Sequence, residues 1–144
     1  MRTLSAAGQA AATNLTKRNE GFRGIIYPDK YGNWTAGYGR NFSQKGLTEA
    51  EAEYLLSNDM NEAESELITH IPPFLSLSEA RKAVLIDMVV NMGMSSFMGF
   101  TDLRAALTAQ DYAAASKAMQ QSNWHTELPS RSERDMYIME TDQI

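Results

Sequence analysis

The sequence predicts an α+β protein with two lobes: one helix and a small β-hairpin at the N-terminus, a long connecting helix, and a C-terminal helical bundle. Three observations predict it. Apolar residues recur at helical spacing through most of the chain, but between Ile25 and Tyr38 they give way to short β-branched and aromatic runs. A capping box at Thr48 and the Pro72-Pro73 pair bracket one long amphipathic stretch. Charge divides at the same place, with seven bases and two acids in residues 1–47 against six bases and sixteen acids in 48–144. A length of 144 residues suits one domain, with residues 1–47 as helix and β lobe, 48–71 as connecting helix and 72–144 as helical lobe.

Taken in order, Ser5 to Glu20 is rich in Ala and Leu and ends at Gly21, where a left-handed C-terminal cap is expected. Ile25-Ile26-Tyr27 and Asn33 to Tyr38 flank the turn-rich Pro28-Asp-Lys-Tyr-Gly32, which predicts an antiparallel hairpin. Thr48 with Glu51 starts the long helix, whose stripe is Leu55, Leu56, Met60, Ala63, Leu67 and Ile68. Its seven acids between Thr48 and Glu66 read as a solvated face. Beyond Pro73, Ser78 caps a strongly apolar helix through Ala83 to Met92, the expected core, ended by Gly93. Shorter helices are predicted at Ser96 to Met98, Asp102 to Ala109, Tyr112 to Ser122 and Ser130 to Glu140, with Thr101 and Asp111 as N-caps. Met88, Met92 and the other methionines read as core filling.

Composition excludes several classes of function. With no cysteine there is no disulfide framework or thiolate nucleophile, and His70 and His125 are too few and too far apart for a metal motif. No cofactor or metal is expected. A net charge of −5 argues against a nucleic-acid binder. No apolar run reaches the roughly 18 residues of a membrane span, and the N-terminus lacks a signal-peptide apolar centre. The expectation is a cytoplasmic monomer with no stable membrane insertion.

Glu20 and Asp29 are the only acids of the basic N-terminal segment. Two carboxyl groups flanking a scissile bond are the minimum equipment for glycoside hydrolysis: one protonates the leaving oxygen and the other handles water or the sugar carbon. The last turn of a helix faces the negative end of the macrodipole, which favours Glu20 for the proton-donating role. Asp29, on an exposed turn beside Lys30, is expected to stay ionised. Unequal lobes joined by a helix would leave a groove suited to an extended polymer.

The run from Asn19 to Gly39 (Asn-Glu-Gly-Phe-Arg-Gly-Ile-Ile-Tyr-Pro-Asp-Lys-Tyr-Gly-Asn-Trp-Thr-Ala-Gly-Tyr-Gly) resembles the catalytic segment of the phage-type lysozymes, the endolysin muramidases of glycoside hydrolase family 24. The family's Glu-Gly, Arg, Ile-Tyr, Asp, Gly, Thr and Gly-x-Gly elements are all present, with nine residues from Glu to Asp and six from Asp to Thr. The resemblance implies a lysozyme-like two-lobed fold, with Glu20 as general acid, Asp29 as the carboxylate that positions water, and Thr35 completing the set with its hydroxyl. It extends through Asn91-Met92-Gly93, Gly99-Phe100-Thr101, and Trp124 with Leu128 to Arg134, and implies substrate-binding roles for Asn91, Phe100 and Arg131. A guanidinium near Glu20 would favour its ionised form, opposing the dipole.

Two positions depart from the family: Arg40 stands where His commonly follows Gly-x-Gly, and Asn19 where an acid often precedes the Glu. The segment from Phe42 to Leu47 is also short by family standards. The expected activity is inverting hydrolysis of the β-1,4 bond between N-acetylmuramic acid and N-acetylglucosamine in peptidoglycan, leading to host cell lysis. Release from the host cytoplasm to the wall would be assisted by a holin. A lytic transglycosylase acting on the same bond and an inactive peptidoglycan-binding virion module are the alternatives.

Overall fold

A computed structural model describes residues 2–144, which form two compact units, one ending at Ala52 and the other spanning Glu53–Ile144. The α+β class expected from the sequence is observed. In the first unit, helix α1 (Ala6–Glu20) starts at Ser5, whose Oγ accepts the Gly8 N–H at 3.1 Å. It ends at Gly21, with φ 67° and ψ 163°. The positive φ is as expected, but the extended ψ is not that of a left-handed cap, and it turns the chain straight into a strand.

The expected hairpin is part of a three-stranded antiparallel sheet, β1 (Arg23–Pro28), β2 (Trp34–Gly37) and β3 (Arg40–Asn41), in that order. Tyr27 stands opposite Thr35, and Thr35 opposite Asn41. Positive φ at Gly37 and Gly39 reverses the chain a second time, which creates β3, a strand of two residues with no periodicity to betray it. Asn41 then caps the short helix α2 (Phe42–Lys45), also unforeseen. Among the described residues of this unit, Thr35 is the only buried side chain.

Helix α3 (Glu49–His70) starts with the expected capping box. Thr48 N–H donates to Glu51 Oε2 at 2.8 Å, and Glu51 N–H donates to Thr48 Oγ1 at 3.2 Å. Arg40 adds a two-pronged pair, its Nη1 and Nη2 donating to Glu51 at 2.8 and 3.0 Å, while Nη2 also reaches the Gly46 carbonyl at 2.8 Å. One carboxylate thus ties β3 to the start of α3.

The second unit carries the hydrophobic core. A 3-10 turn at Pro72–Ser76 leads to α4 (Glu79–Met92), α5 (Met94–Phe97), α6 (Thr101–Thr108), α7 (Tyr112–Gln120), α8 (Asn123–Glu127) and α9 (Pro129–Thr141). As expected, α4 is central, burying Val84, Leu85, Met88 and Val89 against Leu67, Phe74, Phe97, Leu103, Leu107, Met119 and Met139. Each large side chain removed from water here contributes about 1.5–3 kcal/mol. Asp111 caps α7, its side chain accepting the Ala114 N–H at 3.0 Å. Thr101 is not a cap: it is the first residue of α6, and Phe100 before it offers no polar side chain. Helix α8 was unforeseen, because five residues capped by Ser122 are too few to show a period.

Arg81 of α4 closes the C-terminal end of α9. Its Nε donates to the Met139 carbonyl at 2.8 Å and Nη2 to the Glu140 carbonyl at 3.3 Å, satisfying acceptors that the helix end leaves free. The guanidinium lies 3.6 Å from the Tyr112 ring centroid and faces Asp142, which also accepts from the Ser78 hydroxyl. Arg81→Ala is expected to lower the unfolding free energy by about 2 kcal/mol, and Arg81→Lys, lacking the fork, to recover less than half of it. Urea unfolding followed by circular dichroism measures both, and a loss under about 0.5 kcal/mol for Arg81→Ala would show that α9 ends without this support.

Candidate active site

Glu20, Asp29 and Thr35 all lie in the first unit. Asp29 follows β1 and closes a tight loop on Asn33. Its N–H donates to the Asn33 carbonyl at 2.8 Å, while its Oδ1 accepts the N–H groups of Tyr31 and Asn33 at 2.8 and 2.9 Å. Gly32, at φ 81°, makes the turn. The Asn33 N–H is the largest influence holding the Asp29 carboxyl below the ordinary aspartate range, with the Tyr31 N–H, the Asn33 side chain and the Lys30 charge adding to it against a smaller opposing effect of desolvation. Asp29 is therefore ionised at neutral pH, as expected from the sequence.

Thr35 projects from β2 and is 5% exposed. Its Oγ1 donates to the Asn33 carbonyl at 3.0 Å, so its proton is committed and its lone pairs are left to accept. The next main-chain link is made by Ser43 of α2, whose Oγ accepts the Trp34 N–H at 2.8 Å. Asn33 and Ser43 escaped the sequence reading. The spacing of Asp29, Gly32 and Asn33 is that of an Asx turn and could have indicated the first; the second depends on the unforeseen α2.

Glu20 ends α1 and is exposed. Its carboxyl lies against the Cα of Gly39, so closely that a Cβ there would overlap it. Among the described residues it accepts no hydrogen bond and forms no ion pair. The two carboxyl groups thus differ in kind: Asp29 is clothed in N–H donors, and Glu20 rests on a bare glycine.

Asn91, Phe100 and Arg131 lie in the second unit. Asn91 Oδ1 accepts the Trp124 Nε1–H at 2.8 Å, leaving its amide donors outward. Phe100 stacks on Phe97 with centroids 6.2 Å apart, and with Trp124 it lines a cavity of about 610 Å³ edged by Asp102, Gln121, Asn123 and Glu127. Those four edge residues were not singled out from the sequence. Arg131 is held elsewhere, donating Nε and Nη2 to the two oxygens of Asp87, both at 2.7 Å.

A profile of the phage lysozyme family matches residues 17–134. The chain belongs to the phage lysozyme family. Among curated relatives it is similar to a probable T4-type lysozyme 1 of Dictyostelium discoideum, 30% identical over 103 residues that make up 68% of this chain and 59% of that protein. It is also similar to a probable T4-type lysozyme 2 of the same organism, 24% identical over 91% of this chain and 94% of the relative. The chain thus spans about three-fifths of the first relative's length and nearly all of the second's. The matched stretch contains all six residues singled out from the sequence: Glu20, Asp29, Thr35, Asn91, Phe100 and Arg131.

Next to the Asp87–Arg131 pair, Asp135 of α9 is 7% exposed and has one oxygen without a partner. Burial, together with the charge and hydrogen bond of Asp87, pushes its carboxyl up to about 7, against the pull of Arg131 and Arg134. Asp87 is raised by desolvation but lowered more by Arg131 and by its bond to Asp135. Of the two carboxyl groups, Asp135 is thus the one that holds its proton to the higher pH.

Between about pH 4 and 7 folded Asp135 retains a proton that the unfolded chain has released, so its contribution makes stability fall as pH rises, by at most about 1.4 kcal/mol per pH unit. Asp135→Asn removes that slope, so its stability relative to the parent should improve from pH 4.5 to pH 8. An equal difference at both values of pH, in urea unfolding, would contradict the assignment. Gly39→Ala should move the Glu20 carboxyl off its seat and cost about 1 kcal/mol from the φ of 74°. A crystal structure of the variant with Glu20 unmoved would contradict the contact.

Proposed function

We propose that this chain is a muramidase that hydrolyses the β-1,4 bond between N-acetylmuramic acid and N-acetylglucosamine in peptidoglycan. Family membership supports the reaction class, and the arrangement around Asn33 carries the proposal. Asp29 Oδ1 is saturated by two N–H donors, which leaves Oδ2 free, and the Thr35 hydroxyl is left as an acceptor by its bond to the Asn33 carbonyl. A water that donates one hydrogen to Asp29 Oδ2 and the other to Thr35 Oγ1 keeps an oxygen lone pair free for attack. Asp29 takes the proton as the C–O bond forms, and Glu20 gives its own to the departing glycosidic oxygen. The product is then inverted at the anomeric carbon.

In the second unit, the cavity walled by Phe100 and Trp124 offers apolar surface with amide and carboxylate groups at its edge. That composition suits a glycan or its peptide substituents. Asn91 steadies the Trp124 indole, and Arg131, anchored by Asp87, presents its remaining N–H groups to an acidic substituent. Peptidoglycan is the partner that membership of the lysozyme family implies; host lysis, with a holin releasing the enzyme to the wall and no cofactor or metal in the reaction, is the setting we propose for it.

Glu20→Gln and Asp29→Asn should each lower the rate of clearing of permeabilised cells about 10³-fold with the thermal midpoint retained, and Thr35→Val somewhat less. Retention of most activity by either carboxyl variant would overturn the roles. Mass spectrometry of the released muropeptides should show reducing ends carrying water, whereas anhydro sugars would show a lytic transglycosylase. Because the Asp29 carboxyl is lowered, the acid limb of the rate should lie below the ordinary aspartate pKa of about 3.9.

A further inference from the structure

Glu20 has only packing to hold it. Among the described residues its carboxyl accepts no hydrogen bond and forms no ion pair, and what it rests on is the Cα of Gly39. Helix α1 buries none of its side chains and lies broadly along no strand of the sheet, so neither a core nor a helix–sheet face fixes its last turn over that glycine. The turn that carries Gly39 is Gly37-Tyr38-Gly39, with both glycines at positive φ, 68° and 74°. Tyr38 supplies the only side chain of that turn. Its ring meets the chain on either side of Glu20: the Lys17 ammonium, in the last turn of α1, lies 5.1 Å from the ring centroid, and the Phe22 ring, just beyond Gly21, has its centroid 5.6 Å away at an interplanar angle of 52°. A cation near the ring and a second ring tilted against it are both arrangements that an aromatic quadrupole attracts.

We propose that Tyr38 is a positioning residue: held by Lys17 and Phe22, its ring seats the Gly37-Tyr38-Gly39 turn against the end of α1 and so fixes the Glu20 carboxyl over Gly39. The inference rests on the proton-donating role proposed for Glu20. Lys17 precedes Glu20 by three residues and Phe22 follows it by two, so a ring that touches both limits how far the chain at Glu20 can turn or slide relative to Gly39. A general acid has to stand within hydrogen-bond reach of the leaving oxygen, and a misplacement of about 1 Å can cost about 100-fold in rate. The Tyr38 hydroxyl makes no hydrogen bond among the described residues, so the ring carries the role and the hydroxyl does not. Tyr38 acts through Glu20 and not on the substrate, which separates it from a sugar-stacking platform.

The test is steady-state kinetics of the full chain on soluble, uncross-linked peptidoglycan strands. Tyr38→Ala should lower kcat about tenfold with KM kept within about twofold, and Tyr38→Phe, which keeps the ring, should restore kcat to within about twofold of the parent. Added to Glu20→Gln, Tyr38→Ala should slow the reaction no further, because the group it positions is already gone. Thermal midpoints show which variants are folded. If Tyr38→Ala is not, the pair Lys17→Met with Phe22→Leu loosens the same contacts from the helix side and should lower kcat about threefold. A parent-like kcat in folded Tyr38→Ala, or in the Lys17 and Phe22 pair where Tyr38→Ala is unfolded, overturns the proposal. So does a raised KM with kcat unchanged, which would show a ring that touches substrate, a Tyr38→Phe variant as slow as Tyr38→Ala, or a full tenfold loss on top of Glu20→Gln. Glu20→Gln with the parent rate would overturn the role of Glu20 itself, whereas a slow Glu20→Gln beside an unaffected Tyr38→Ala would overturn the inference about Tyr38 alone.

Discussion

The first unit depends on the main chain of Asn33. That residue bonds to Asp29 in both directions, through the Asp29 N–H and Oδ1, and its carbonyl also takes the Thr35 hydroxyl. Since Thr35 is the only buried side chain described there, no apolar core can hold these groups in place. Their geometry is set by directional bonds alone. In such a unit a hydrogen bond does work that packing does elsewhere, and each is worth more to position than its roughly 1 kcal/mol of net stability suggests. The same bonds leave one Asp29 oxygen and the Thr35 lone pairs unclaimed, so the device that fixes the turn also prepares the site proposed to hold water.

Stability is concentrated in the other unit, where α4 is surrounded by close-packed side chains and α9 is closed by Arg81. The first unit gains a further tie through Glu51, which serves its own helix as a capping carboxylate and receives Arg40. Arg40 occupies the position where the resembling family commonly has His. A guanidinium stays charged at any physiological pH, whereas an imidazole loses its charge near pH 6.5. Arg at this position therefore makes the tie between β3 and α3 insensitive to pH around neutrality. Glu51, held below the ordinary glutamate range chiefly by the Thr48 N–H and further by Arg40, remains its partner well into acid.

What could be read in the sequence were the features with a local cause. The capping box of α3, the Ser78 and Asp111 caps and the apolar run of α4 each follow from a few neighbouring residues, and each is observed. Elements whose cause is short or distant escaped. Strand β3 has two residues, α8 has five, and the register that sets Thr35 opposite both Tyr27 and Asn41 exists only once three strands are paired. Of the candidate site, the residue types and spacing of Glu20, Asp29 and Thr35 were legible. The Gly39 seat beneath Glu20 and the Arg131–Asp87–Asp135 cluster were not, because both join positions that no periodicity relates.

The proposed division of labour between Glu20 and Asp29 rests on what surrounds each carboxyl, and net charge cannot supply it. Both belong to the same basic segment, so a uniform positive potential would favour ionisation of both alike. Asp29 differs by accepting two main-chain N–H groups, which stabilise only its anion. Glu20 receives no donor among the described residues. Its neighbour at Gly39 is a Cα that gives a carboxylate nothing to bond, and any side chain at that position would displace it. A group that must deliver a proton to a leaving oxygen is best left without donors that would reward its anion, and a group that must take one from water is best supplied with them. In the proposed mechanism Gly39 and Asn33 are therefore the residues that set the two carboxyl groups apart, the one by lacking a side chain and the other by presenting its backbone.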